Sequence, residues 1–332
     1  GVFFTGSARE WRYRQRLAGK LSELVQTGQV TLIEAADCAA DAVRYRPGKH
    51  PEVPFVVRLH GPTAVGELFD KTIPEFARRV VRRLERRLLL RATHLCAPSQ
   101  AAAGLFRRAM ALGEKPIAVY PNIPTLAHFA TAPGVATEPE PNLVLYVGRL
   151  SPVKGVHLLV QAIPGVLRRH PQARFVLAGP DGPTSQGHPS AQDYLLSLLP
   201  PPCRHAVSFT GYLPPAALAR YYERAALCVA PSLFESFGYS CLEAMTHGKA
   251  VIGSPAGSMA EMLDHGRCGL LYTPPRIDEL SGQMLRLLKD PGLRRSLGAA
   301  ARARVLTRYR PEVIASRVEA FYLSALADLG GG

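Results

Sequence analysis

Short runs of β-branched and apolar residues recur along the chain, bounded by turn residues and separated by apolar positions at helical spacing. That alternation predicts parallel sheets built from strand–helix–strand units. In the first half the strand candidates are 2–4, 30–33, 55–59, 93–97 and 117–120, with helical patterns over 8–26 and 74–91 among them. The stretch 131–142, TAPGVATEPEPN, is rich in Pro, Thr and Glu, has no apolar period and reads as a linker. A second series follows, with strands at 143–147, 175–178, 207–209, 227–230 and 250–252 and helices near 156–169, 214–224 and 238–247. From Arg276 onward the pattern is mostly helical. The expected fold class is α/β: two doubly wound domains over 1–130 and 143–310, then a helix over 311–332 that packs back on the first. Ligands of such sheets bind beyond the carboxyl ends of the strands, which directs attention to the loops there.

Composition narrows the class. With 332 residues, 47% of them hydrophobic, the chain can bury two cores. No apolar run approaches the roughly 20 residues that span a bilayer. Forty basic against twenty-six acidic residues leave +14, which favours anionic partners. Six cysteines without paired spacing, set in apolar stretches, suggest small buried hydrophobes in a reducing cytoplasm, with neither a zinc site nor a disulfide framework. The chain begins at Gly1 without an export signal, so upstream sequence is expected to be missing.

Three loops carry candidate chemistry. The strand at 143–147 runs into GRLSPVKG, where Arg149 and Lys154 leave one glycine-rich loop together and can grip two phosphates. An exposed basic turn is the plain alternative. The segment PSLFESFGYSCLEAM holds Glu235 in a loop and Glu243 in the following helix. Each carboxylate can accept hydrogen bonds from a pair of sugar hydroxyls, although two surface glutamates are the commoner meaning of that spacing. The third loop, GSPAGSMAE, brings small residues into a helix start, either as an amide cradle for an anion or as a helix capped by Ser258.

Taken in order, GRLSPVKG, FVLAGPDG, VSFTGYLP, VAPSLFESFGYSCLEAM and the run from GSPAGSMAEML to GLLYTPP resemble the family 4 retaining glycosyltransferases, closely over 143–275. The resemblance implies the GT-B fold, two Rossmann-like domains facing across a cleft, and a nucleotide-sugar donor used without cofactor or metal. No Asp-x-Asp pair occurs. By the resemblance Arg149 and Lys154 bind the diphosphate, Glu243 the ribose and Glu235 the donor sugar. Phe237, Gly238 and Tyr239 sit at the donor, and Gly257 and Ser258 lend amides to the phosphates. His60, in RLHGP at a strand end, matches the histidine that faces the donor sugar; a histidine satisfied by backbone groups is its plain alternative. The acceptor would be a glycan, a lipid-linked sugar or a small molecule. Departures are Ala256-Gly257 for two glycines, Asn122-Ile123 for Asn-Gly, Ala250 for proline, and the lack of an opening strand with a glycine-rich loop. The last implies that one or two strand–helix units of the N-terminal domain are absent. A non-catalytic or truncated nucleotide-sugar-binding relative is the main rival; a Rossmann oxidoreductase is disfavoured because no G-x-G-x-x-G follows either first strand.

One further segment draws on the charge. Residues 71–91 hold eight basic and two acidic residues, +6 of the total. Phe76, Val80, Leu84 and Leu88 make an apolar stripe widened by Ala77 and Val81, opposite Arg78, Arg79, Arg82, Arg83, Arg86 and Arg87. Such a helix either packs by its stripe with a solvated arginine face or lies on an anionic membrane at the inner face. Nothing accompanies the charge that would read nucleic acid.

Overall fold

The computed structural model describes residues 8–61, 75–129, 139–184 and 187–330. It divides into two compact units, one combining Gly1–Asn122 with Ile314–Gly332, the other Ile123–Val313. The strand expected at 2–4 and residues 71–74 lie outside the described residues.

The first unit runs α1 (Ala8–Gln26), β1 (Ile33–Ala36), β2 (Phe55–Arg58), α2 (Glu75–Arg91), β3 (His94–Ala97), α3 (Gln100–Ala109) and β4 (Ala118–Val119). Its sheet is parallel in the order β1-β2-β3-β4, with Val57 opposite both Ala35 and Leu95. All four residues of β2 are buried, as a central parallel strand covered on both faces requires. Strand β1 begins at Ile33 rather than 30, because pairing starts where the Ile33 N–H reaches the Pro54 carbonyl. After β1 the chain makes a tight turn over Cys38–Arg44, with Ala39 and Ala40 at φ 61° and 49°, which no local pattern announced. Cys38 is exposed on that turn, unlike the buried Cys96, so it is not the apolar filler expected of the cysteines.

Helix α2 packs largely by its apolar stripe, with Ala77, Val80 and Leu84 half-buried and Phe76 the exception. The buried positions are Val81, Glu85, Leu88 and Leu89, whereas Phe76 is 79% exposed. Two of the arginines fasten the helix to its neighbour. Arg82 donates to the Ala109 carbonyl at 2.9 Å and Arg86 to that of Met110 at 3.0 Å, closing the C-terminus of α3. Lys115 returns the contact, its Nζ donating to the carbonyls of Leu89, Leu90 and Ala92 at the end of α2. Cations at helix C-termini offset both orphan carbonyls and the dipole. No helix among the described residues is long and apolar enough to cross a membrane.

The second unit continues with β5 (Leu143–Val147), α4 (Val156–Leu167), β6 (Arg174–Ala178), α5 (Ala191–Ser197), β7 (Val207–Gly211), α6 (Pro215–Arg224) and β8 (Leu227–Ala230). Then come α7 (Tyr239–Thr246), β9 (Ala250–Gly253), α8 (Met259–Met262), β10 (Leu270–Leu271), α9 (Ile277–Lys289), α10 (Pro291–Arg308) and α11 (Pro311–Gly330). Six parallel strands are ordered β10-β9-β8-β5-β6-β7, so the chain builds outward from β5 in one direction, returns, and builds outward from β8 in the other. Leu159, Ile163 and Val166 of α4 pack with Phe175 of β6 and with Met284 and Leu287 of α9 in its core.

The unit boundary falls earlier than the linker. Residues 123–129 pack with the second unit, because His128 stacks on Tyr239 at 4.5 Å. At the linker's end Glu140 is tied to Arg224 at 2.6 Å. Helix α11 joins the first unit from Ile314 onward. There Phe321 packs with Val56 and Cys96, and Tyr322 hydrogen-bonds Arg58 at 3.3 Å and also Glu34.

Candidate functional site

The strand order puts the switch point of the second sheet between β5 and β8, where neighbouring strands send their following segments in opposite directions and leave a crevice. Three loops meet at the carboxyl ends of β5, β8 and β9, and their backbones interlock. The Leu233 N–H donates to Val153 at 2.8 Å, joining the second loop to the first. Gly155, at φ 64°, lies against Pro231; a Cβ there would stand 2.7 Å from the Pro231 carbonyl carbon and closer still to its oxygen. Glu235 and Gly257 form an isolated parallel bridge, joining the second loop to the third. The Tyr272 hydroxyl donates to the Pro231 carbonyl at 2.9 Å.

This scaffold fixes the charged groups. Lys154 Nζ and Glu235 Oε2 are 2.5 Å apart, with side chains 24% and 12% exposed. Two residues distant by sequence thus form one ion pair at the mouth of the crevice. Arg149 is exposed and has no ion-pair partner among the described residues, while its carbonyl accepts from the Tyr146 hydroxyl at 2.7 Å. Gly238, at φ 92°, opens α7 and aims that helix's first amides at the same loops.

Glu243 lies one turn into α7 and accepts the Tyr222 hydroxyl at 2.8 Å. Burial raises its pKa, and the hydrogen bond from Tyr222 draws it partway back. His128 Nε2 is 3.9 Å from its other oxygen. Beside this carboxylate is a cavity of about 200 Å³, walled by Tyr212, Leu213, Leu218 and Tyr222.

Two expected roles change. The Ser258 N–H donates to the Glu235 carbonyl at 2.8 Å and its hydroxyl to Phe237 at 2.6 Å, so neither atom is open to a phosphate. Nor does Ser258 cap α8: its backbone is helical and its side chain is spent on Phe237. Of the pair, Gly257 keeps an N–H without a backbone partner among the described residues. Phe237 is buried against the rings of Tyr239 and Tyr309, so its side chain orders the loop and does not face a ligand.

In the first unit, His60 follows β2 with its ring exposed and its pKa lowered by partial desolvation and by Arg58. Its N–H donates to Asp37 Oδ1 at 2.9 Å, and that of Gly61 to Oδ2 at 3.4 Å. Asp37, completely buried, thereby holds the turn that presents His60. Loss of solvation pushes its pKa up from 3.8 to about 6, with those amides pulling the other way. The folded chain therefore holds this proton more tightly than the unfolded one. Stability falls as pH rises between the two values, and above about pH 6 the whole cost, about 3 kcal/mol, is carried. Asp37→Asn removes the charge and keeps an acceptor for His60. The stability gap between parent and variant in urea is expected to move by about that amount between pH 4 and pH 7; a gap independent of pH would contradict the assignment.

A family model described as glycosyl transferases group 1 matches residues 132–304, and one described as Glycosyltransferase Family 4 matches residues 1–123. The chain belongs to the group 1 glycosyltransferase family. An uncharacterised glycosyltransferase of Methanocaldococcus jannaschii is 31% identical over 201 residues, 59% of this chain and 48% of the relative. A D-inositol 3-phosphate glycosyltransferase of Kineococcus radiotolerans is 30% identical over 76% of this chain and 62% of its own length. This group 1 chain thus spans about half to three-fifths of these relatives. Among solved structures, the sucrose-phosphate synthase of Thermosynechococcus elongatus superposes with a TM-score of 0.74 at 24% identity, over 95% of this chain and 78% of that one. Anabaena HepE in complex with UDP-glucose gives 0.66 at 24% identity, over 91% and 81%. These superpositions establish the GT-B fold with its Rossmann-like sheets.

No local pattern in the sequence marks Asp37, His128 or Tyr222. His128 follows the PNIPT segment, where the usual Asn-Gly is lost, and Tyr222 sits in a Tyr-Tyr pair of an ordinary amphipathic helix.

Proposed function

We propose that this chain transfers a sugar from a nucleoside-diphosphate donor to an acceptor hydroxyl, with retention of anomeric configuration and without a metal. The observation that carries this reading is the Lys154–Glu235 pair, held at 2.5 Å beside Arg149 at the switch point of the second sheet. A departing diphosphate needs positive charge where its own charge develops. Arg149 and Lys154, with the first amides of α7, supply it. Glu235, paired with its lysine, accepts a donor-sugar hydroxyl and orients the ring. Glu243 accepts from the ribose hydroxyls, and the cavity beside it takes the base against Leu213 and Leu218. The acceptor hydroxyl attacks the face from which the diphosphate leaves, and the leaving phosphate takes its proton.

HepE was solved with UDP-glucose, which makes uridine the first base to try. The test is thermal unfolding of the full chain with UDP, GDP, ADP and their glucose conjugates in EDTA, followed by product analysis. One nucleotide is expected to raise the midpoint by about 5 °C at a hundredfold excess over Kd. A shift that appears only with added magnesium would refute metal independence. No shift with any nucleotide would sink the donor assignment, and binding without turnover would leave a nucleotide-sugar binder.

A further inference from the structure

The arginines of α2 do not share one task. Arg78 and Arg79 pair with Glu75, at 2.6 and 3.0 Å. Arg82 and Arg86 close the end of α3. Arg87 and Arg91 turn elsewhere, into a cavity of about 290 Å³ between α1, α2 and the turn after β1. Arg44 and Arg46 reach the same cavity from that turn, so four guanidiniums line one space. Trp11 and Gln15 of α1 complete its polar side, and Val43 and Leu84 give it an apolar wall.

No carboxylate lines the described wall, and none of the four arginines has an ion-pair partner among the described residues. Surfaces ordinarily intersperse the two signs, because clustered like charges repel. Here the repulsion is left standing: Arg91 loses basicity first through desolvation and then through Arg87 and Arg46. Arg46 and Arg87 are exposed, and the other two are held by partners within the chain. Arg91 Nη1 donates to the Val43 carbonyl at 2.8 Å, and Arg44 lies over the Trp11 ring with its central carbon 4.7 Å from the centroid. Planar forks around a concave space match the oxygens of a phosphate group. The volume is close to that of small-molecule pockets and exceeds what a lone oxyanion needs. The apolar wall suits the organic part of an ester.

We propose that this cavity of the first unit is a binding site for a phosphate ester, clamped by Arg44, Arg46, Arg87 and Arg91, with its organic portion against Val43 and Leu84. It lies wholly within the first unit and is independent of the donor reading for the second. A soluble sugar or polyol phosphate and a phospholipid headgroup present the same chemistry, and the experiment separates them.

The full chain is modified with phenylglyoxal, and each arginine is followed by mass spectrometry with glycerol 3-phosphate, with sulfate at equal ionic strength, or with vesicles of phosphatidylglycerol or phosphatidylcholine. The expected result is at least about tenfold slower modification of Arg46 and Arg87, with Arg168 and Arg308 unaffected. Protection by glycerol 3-phosphate assigns a soluble ester. Protection only by phosphatidylglycerol vesicles assigns the headgroup. Equal protection by sulfate, or of Arg168 and Arg308, shows screening alone and overturns the proposal, as does no protection in any arm. The variant R46Q/R87Q, neither of whose residues makes a side-chain hydrogen bond among the described residues, is expected to lose the binding while keeping the parent's unfolding midpoint. Because the footprint is read on the unaltered chain, it decides the matter even if that variant folds poorly.

Discussion

Replacing Lys154 with methionine is expected to lower the turnover number for sugar transfer by about 10²–10³-fold, the loss typical of removing one preorganised charge at a developing oxyanion. The lysine has two connected effects, and a double variant separates them. It supplies positive charge in the loop of Arg149, and it pairs with Glu235, whose side chain is only 12% exposed. Lys154→Met leaves that carboxylate without its cation, so stability falls as well, by about 1–3 kcal/mol, because an unpaired and poorly solvated charge is costly. Adding Glu235→Gln removes the stranded charge, and the unfolding midpoint returns toward that of the parent. Turnover does not return, because neither the cation nor the sugar-orienting carboxylate is restored. Rate and stability recovering together would mean that the pair is only a structural link between two loops. A single variant within about threefold of the parent rate would remove Lys154 from the mechanism.

Much of this site could be read from the chain, for a physical reason. Strands β5 and β8 appear in the sequence at the observed Leu143–Val147 and Leu227–Ala230, because parallel strands covered on both faces are continuous apolar runs. The loops that follow them inherit that certainty, which makes Arg149, Lys154 and Glu235 legible together. Side-chain direction was not legible. Nothing in the periodicity of α2 says that Arg82 and Arg86 are spent on the carbonyls of α3, or that Phe76 in its first turn stands exposed while the rest of the stripe packs. Ser258 reads as a helix cap by position, yet its hydroxyl is taken by Phe237, a partner brought near only by the β8–β9 crossover. Asp37 is unmarked in the sequence for a similar reason. Its worth lies in two amide donors from the next strand's end, and those partners exist only once β1 and β2 are in register.

The interlocked loops also carry a large stability effect expected of a single methyl group. Gly155 sits at φ 64°, and a Cβ there meets the Pro231 carbonyl, 2.7 Å from its carbon. The obstacle is backbone, which cannot swing aside as a side-chain end would. Gly155→Ala must therefore either hold the left-handed conformation under overlap or part the loop after β5 from the loop after β8. The first costs about 1–3 kcal/mol in conformational strain and a similar amount in overpacking. The second forfeits the Leu233–Val153 hydrogen bond and shifts Lys154, the neighbouring residue. Gly211 provides the control, since it has nearly the same φ, 68°, lies in the same unit, and would place a Cβ in open space. In urea unfolding, Gly211→Ala is expected to lose about 1 kcal/mol and Gly155→Ala about 4 kcal/mol. The difference measures the close approach of the two loops, separated from the conformational preference both positions share. Equal losses would mean that the loops do not meet at Gly155, and the geometry that joins Lys154 to Glu235 would fall with them.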